Sequence, residues 1–540
     1  MEAPRVHVKN GWLLGLAKPG VQAFLGVPYA KPPLGDLRFL PPQPCEDWQG
    51  DYPATQYGDG PMQYPDSDFT TIPPYAQDRT LEPPQHFSEN CLTLNIWAPE
   101  NSSGQKLPVI FWIYGGAYTM GNAAMALYSG EALARQGAVV VSANYRVGVF
   151  GFFAHPDFPK HATNAGLRDL LMALCWIREN IAAFGGDPQN VTIQGESAGS
   201  AAVNTLLVCP QAKGLFHRAI SQSFSPFNHD EWAHDRAEME QRTLSYLHTI
   251  GIETPEQAYA APAEALLGKK SDYAAAEFSP YVDGDVLPEP LEQAFLNGHV
   301  HDVPILLGCT ANEATVLIGD RRSVTKAKID ATFQRKYPHD LQALYAMYQK
   351  DMEKDPAAAL ARFRSDNTLA NMRFYAQTLC RCNASPVYTY LFSRKLPGID
   401  SDFYGAYHAS EIPYHFGNLS VIARPFTEED HHLSRVMMSY WLSFAKDGQP
   451  AAPGEPAGSP MTKQRMRGCI WIQPAPMPAC RILHGRTFCR ICYRKRFCQI
   501  PKLLYGTKRK TKTAIQAFCS CMVVLFLLSL PVLYYQRTAL

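Results

Sequence analysis

Apolar residues in this chain gather in short unbroken runs more often than in helical stripes. Val109-Ile110-Phe111-Trp112-Ile113 and the run 138–143 contain almost no polar alternation, the pattern of strands buried on both faces. The segment 92–97 alternates instead and predicts another strand. Further strands are expected at 191–194, 303–307 and 387–392. Helix-like stretches such as 167–184 lie between them. Strands alternating with helices predict an α/β fold, a mostly parallel central sheet flanked by helices. Residues 225–300 and 323–380 read as helical insertions that build walls above the sheet. Residues 1–45 read as short strands and turns, 46–88 as a long surface loop, and the Ala/Pro/Gly-rich 451–460 as a linker. No internal repeat is found.

Charge changes the picture late in the chain. The 540 residues carry a formal net charge of +1. No Asp or Glu occurs beyond Glu455, so residues 1–455 carry a net −14 and the last 85 carry +15. Half of the 14 cysteines also lie in that tail. The body is therefore read as one domain, 1–455, followed by a basic, Cys-rich tail, 456–513, and an apolar stretch, 514–535. The body's seven cysteines have no disulfide-framework spacing, and the N-terminus lacks the apolar run of a signal peptide. Both point to a reducing, intracellular setting. Nothing in the charge pattern of the body suggests a nucleic-acid partner.

Candidate chemistry begins at Gly195-Glu196-Ser197-Ala198-Gly199. The G-x-S-x-G pattern is weak alone. Here a β-branched strand precedes it and a small-residue helix follows, the context of a nucleophile turn that lifts a serine hydroxyl above a sheet. The amide of Ala198 would then point from a helix N-terminus at the reacting carbonyl. Upstream, Tyr114-Gly115-Gly116-Ala117-Tyr118 follows a predicted strand. Small residues there let backbone N–H groups approach a developing alkoxide.

These residues resemble the type-B carboxylesterase family, which includes the cholinesterases and has the α/β-hydrolase fold. The resemblance spans roughly 5–455. It is carried by the stretch from Phe24 to Gly35 with Arg38-Phe39, by Ser88-Glu89-Asn90-Cys91-Leu92, by Asn144-Tyr145-Arg146 and by Phe184-Gly185-Gly186-Asp187-Pro188. It implies an oxyanion hole from the amides of Gly116, Ala117 and Ala198, with Ala117 where many members carry glycine. It also implies a Glu89–Arg146 ion pair bracing the site.

In this fold the acid follows the serine and the histidine comes last. Glu313 lies just past the strand expected at 303–307 and resembles the family's acid motif, with Ala314 replacing a usual glycine. Asp302 and Asp320 are rivals, one before the strand and the other distant. His408, in Gly405-Ala406-Tyr407-His408-Ala409-Ser410-Glu411, looks like the family's histidine loop; His415 is its rival. Glu196 would act in local electrostatics or as a buried structural acid. Cholinesterases recognise a quaternary ammonium with a tryptophan in a disulfide-closed loop. The matching stretch 62–91 contains no Trp and has Met62 at its first cysteine position, which disfavours choline esters. A general esterase with an apolar acyl pocket is expected, with Phe224, Tyr281 and Tyr414 as lining candidates.

The reading is hydrolysis of a small-molecule carboxylic ester through Ser197, His408 and Glu313, with no metal or organic cofactor. Rival classes are a non-catalytic binding or adhesion protein on the same fold, and another acyl hydrolase (lipase, amidase or thioesterase). The oligomeric state is left open. The 514–535 stretch is long enough to span a bilayer and is preceded by Lys508-Arg509-Lys510. Three readings of the tail stand: a membrane anchor, a frame-shifted C-terminus with accidental hydrophobicity, or a core helix. His484, Cys489, Cys492 and Cys498 are too loosely spaced to read as a zinc set.

Overall fold

The computed structural model describes residues 2–64, 72–78, 86–159, 161–227, 234–461 and 469–472. The segment 514–535 and nearly all of 456–513 beyond Met461 lie outside them. No helix among the described residues is long and apolar enough to cross a membrane.

A ten-stranded sheet organises the molecule. In chain order its strands are β1 (Leu16–Lys18), β2 (Val21–Pro28), β3 (Thr93–Pro99), β4 (Leu107–Ile113), β5 (Val139–Ala143), β6 (Gly186–Glu196), β7 (Arg218–Gln222), β8 (Ile305–Thr310), β9 (Val387–Phe392) and β10 (Cys469–Ile472). In space they run β10-β9-β8-β7-β6-β4-β5-β3-β2-β1. Every pairing from β10 to β5 is parallel, and the three at the N-terminal edge are antiparallel. The unbroken apolar runs form the central strands. β5 and β8 are buried along their whole length, because helices cover both sheet faces and leave no solvent side to favour polar alternation. A small separate sheet joins Arg5–Val8, Gly11–Leu14 and Asp51–Pro53.

The helix Ala165–Asn180 shows why the pattern at 167–184 is legible. Leu167, Leu170, Leu174 and Ile177 recur at helical spacing and are fully buried, whereas Arg178 and Glu179 face solvent. Its axis ends in a short 3-10 turn, Ile181–Phe184, closed by Gly185 at φ 83°. The two expected helical insertions are present. The first comprises Arg236–Thr249, Pro255–Ala260, Lys270–Ala276 and Leu291–Asn297, and the second Lys326–Lys336, Leu341–Lys354 and Pro356–Cys382. In the second, Ile329, Phe333, Leu344, Tyr348 and Phe363 form their own apolar cluster. The Asp355 carboxylate accepts from the Ala358 amide at the start of the longest helix.

Two stretches differ from expectation. The 46–88 region is not all loop: it contributes the edge strand Asp51–Pro53 and the helix Pro73–Asp78. The 451–460 stretch is tied to the body. The Ser443 hydroxyl donates to the Ala451 carbonyl and accepts from its amide, Tyr440 donates to the Pro456 carbonyl, and the Met461 amide reaches Val387 on β9. Proline-rich composition forbids regular structure but leaves carbonyls free to be captured by a neighbouring helix. Past it, β10 pairs in parallel with β9.

Candidate active site

The C-terminal ends of β4, β6, β8 and β9 point toward one end of the sheet, where parallel α/β folds place their chemistry. β6 ends at Glu196, and the helix Ala198–Val208 starts two residues later. Ser197 sits between them at φ 57°, ψ −123°, a conformation that costs a residue with a Cβ on the order of 1–3 kcal/mol. The turn is feasible because its flanks are glycines. A Cβ on Gly195 would stand 2.3 Å from the Gly199 carbonyl oxygen, and one on Gly199 would stand 2.0 Å from that of Ile113. The Ser197 amide donates to Gln222 at the end of β7, and its carbonyl accepts from Ala201 in the helix.

The loop after β4 lies against this turn, close enough that a Cβ on Gly115 would be 3.0 Å from the Ser197 Cβ. Two stacked tyrosines brace it, Tyr114 and Tyr145, 4.6 Å apart. Each hydroxyl donates to the other's backbone carbonyl, at 3.1 and 3.0 Å. Gly116, Ala117 and Tyr118 all have positive φ (113°, 54°, 59°). Among the described residues the amides of Gly116, Ala117 and Ala198 donate to no protein group. These three N–H groups in and beside the Ser197 turn are thus left unused by the fold among the described residues.

Glu313 and His408 come from loops beyond β8 and β9. The His408 Nδ1 is hydrogen-bonded to Glu313 Oε1. The other oxygen of Glu313 accepts from the Thr310 amide and hydroxyl at 2.9 and 2.6 Å. The two loops are joined by Asn312, whose amide donates to the Ala406 carbonyl while its side-chain oxygen accepts from the Ala406 amide. Thr315 adds a bond to the Tyr404 carbonyl. Sequence reading missed Thr310, Asn312 and Thr315, since small polar residues in loops carry no signal of which loop they join. The rivals lie elsewhere. Asp302 accepts from the Ala384 and Ser385 amides, and Asp320 caps a 3-10 turn at the surface. His415 is fully buried against Trp441 with its rings parallel, and burial drives its pKa down to about 3.

The remaining ring nitrogen of His408, Nε2, lies 3.2 Å from Glu196 Oε1. Among the described residues it meets this carboxylate rather than the Ser197 hydroxyl. Glu196, Glu313 and His408 bring their donor atoms within 4.8 Å of one another. Both ring nitrogens thus face carboxylates. Burial pulls the imidazole pKa down, but Glu196 and then Glu313 outweigh it and raise it to about 10. Glu196 itself is pushed well up, by burial first. So is Glu411, whose Oε1 accepts from Gln222 and Tyr390. A protonated Glu196 removes the larger carboxylate pull on the ring.

Two expectations change. Glu89 does not pair with Arg146. It takes both fork nitrogens of Arg38, at 2.6 and 2.5 Å, while Arg146 grips Asp169 at 2.8 and 2.7 Å. Arg38 and Arg146 line the same small cavity, but each guanidinium grips one carboxylate through two of its nitrogens. Tyr281 and Tyr414 are core residues, fully buried, with hydroxyls on the Phe153 carbonyl and on Asp430. Phe224 is buried just past the end of β7.

Residues 2–476 match the family model described as Carboxylesterase family. Para-nitrobenzyl esterase of Bacillus subtilis (strain 168) is 33% identical over 474 residues, covering 83% of this chain and 90% of that protein. Cocaine esterase of Homo sapiens is 34% identical over 513 residues, covering 87% and 86%. Acetylcholinesterase of Bungarus fasciatus is 33% identical over 493 residues, covering 84% and 80%.

Proposed function

The chain belongs to the carboxylesterase family and is a carboxylic ester hydrolase, and we propose that it works as a serine esterase through Ser197, His408 and Glu313. The observation that carries this reading is the convergence of the strained Ser197 turn, three unused amides and an imidazole already bonded to a buried acid. His408 Nε2 exchanges its contact with Glu196 for the Ser197 hydroxyl. Glu196 and Ser197 are adjacent residues, and catalytic hydrogen bonds commonly tighten only with substrate. The hydroxyl then attacks the ester carbonyl as the ring takes its proton. The alkoxide forms against the amides of Gly116, Ala117 and Ala198, each worth about 3 kcal/mol. Glu313 keeps Nδ1 protonated and stabilises the imidazolium. The imidazolium protonates the leaving alcohol, and water activated by the same ring releases the acid from Ser197.

Small neutral esters fit this reading better than choline esters, since the 62–91 stretch contains no tryptophan to face an ammonium. Turnover of short p-nitrophenyl esters, with mass-spectrometric location of a fluorophosphonate label, tests it. The label is expected on Ser197; a label elsewhere, with full loss of turnover, would assign the nucleophile to another residue. A series of acyl chain lengths separates a general esterase from a lipase.

Glu196 gives a pH prediction. Its carboxylate raises the proton affinity of His408, and the neutral imidazole is the active base. Glu196→Gln therefore lowers the pKa that governs the acidic limb of kcat/KM, and activity persists to lower pH. A limb that stays in place or moves up would show that Glu196 does not act on the base.

A further inference from the structure

The helix Pro73–Asp78 lies within the 62–91 loop, which has Met62 at one end and the free thiol of Cys91 at the other. No disulfide closes the loop between these residues. Instead the helix is pinned by charge. Arg424, its side chain 1% exposed, donates Nε to Asp78 at 2.5 Å, Nη1 to the Pro397 carbonyl at 2.8 Å, and Nη2 to the Pro74 carbonyl at 2.9 Å and the Tyr407 hydroxyl at 2.8 Å. Tyr407, fully buried, returns its own hydroxyl to the second Asp78 oxygen at 2.6 Å. Gln77 adds bonds to the Ala423 carbonyl and the Ile399 amide.

Tyr407 precedes His408. The ring of Tyr75 packs edge-to-face on Tyr407, 5.7 Å between centroids, and its hydroxyl donates to the His408 carbonyl at 2.9 Å. On the other side of His408, Ala409 has φ 68°, a left-handed conformation that alanine resists. The base therefore sits on a strained turn, held from outside by an element remote in sequence. A buried ion pair adds little net stability over apolar packing but fixes geometry, because each charge accepts few arrangements of its partner.

We propose that the 72–78 segment positions the general base, with the Asp78–Arg424–Tyr407 cluster fixing the helix on the histidine loop and the Tyr75 hydroxyl fixing the His408 backbone. Tyr75, Asp78 and Arg424 are positioning residues that act through His408. This rests on the reading of His408 as the base. It assigns to an ion pair the task of holding the 72–78 helix against the histidine loop.

The test is kinetic and spectroscopic. Tyr75→Phe removes one hydroxyl and keeps the ring. It is expected to lower kcat by about 10- to 100-fold, the scale of a slight misplacement of a reacting group, with KM nearly unchanged. The rate of Ser197 phosphonylation falls by the same factor, and the downfield proton resonance of His408 Nδ1 shifts or broadens. The double variant Asp78→Leu/Arg424→Met replaces the pair by apolar groups and is expected to fold, by circular dichroism, with the same kinetic loss. Arg424→Lys keeps the charge without the fork and gives an intermediate rate. Wild-type kcat, phosphonylation rate and Nδ1 resonance in both Tyr75→Phe and the double variant would overturn the proposal, even if melting temperature dropped. If the unaltered protein never labels at Ser197, the esterase mechanism fails instead. If all variants label equally fast, only the positioning role fails.

Discussion

Ser197→Ala is expected to reduce kcat on a short p-nitrophenyl ester by about 10⁵- to 10⁶-fold while leaving the fold unchanged. The loss is large because, in the proposed mechanism, the hydroxyl forms the covalent intermediate and its partners cannot act without it. In that mechanism the amides of Gly116, Ala117 and Ala198 still bind the developing charge, so a residual rate of roughly 10³ over the uncatalysed reaction is expected. Stability should hardly move. Alanine keeps the Cβ, and the turn is fixed by backbone bonds to Gln222 and Ala201, not by the serine side chain. Circular dichroism and urea denaturation of the variant check the second half of the claim. A purified variant retaining more than a few per cent of turnover would remove Ser197 from the mechanism.

Asp169→Asn should be among the most destabilising conservative changes in the body, costing about 3–5 kcal/mol. Arg146 is 3% exposed and Asp169 fully buried. Asp169 accepts from the Arg146 amide, Nε and Nη2, at 3.0, 2.8 and 2.7 Å. Arg146 Nη1 already lacks a partner among the described residues. Removing the counter-charge leaves a guanidinium in the core that can neither lose its proton nor reach water. Apolar replacement of both partners, Arg146→Met/Asp169→Leu, should recover most of the loss. The exposed Arg5–Asp51 pair is the control: with side chains 49% and 37% exposed, Asp51→Asn should cost no more than about 1 kcal/mol. Equal midpoints in urea for the Asp169 and Asp51 variants would refute the distinction.

Much of the fold was legible because burial on two faces leaves a mark in the sequence. The runs around Val109, Val139 and Val387 became β4, β5 and β9 with small shifts at their ends. The helix from Ala165 was legible because its buried leucines recur at 3.6 residues. The nucleophile turn was legible for a steric reason: only glycine fits at 195 and 199, and glycine is visible in a sequence. Reach across the chain was not legible. Glu89 offers no sign of whether it pairs with an arginine at 38 or at 146, since both approach it only after the sheet has assembled. Nor do Tyr281 and Tyr414 reveal which side of a wall they face. A buried tyrosine whose hydroxyl finds an acceptor looks, in sequence, the same as one lining a pocket.

The sequence by itself determined the family, through the motifs that resemble it, and also the alternating α/β plan and the strand-serine-helix turn, because these two follow from periodic burial and local sterics. Tertiary structure decided the charge pairings that the sequence left open. It set Glu196 on Nε2 of His408, gave Arg38 to Glu89 and Arg146 to Asp169, and set Asp78 on Arg424, 346 residues away. The physical reason is range. Backbone preference acts over a few residues, whereas a buried charge selects its partner by distance and direction through low-dielectric space, and those exist only once the chain has folded.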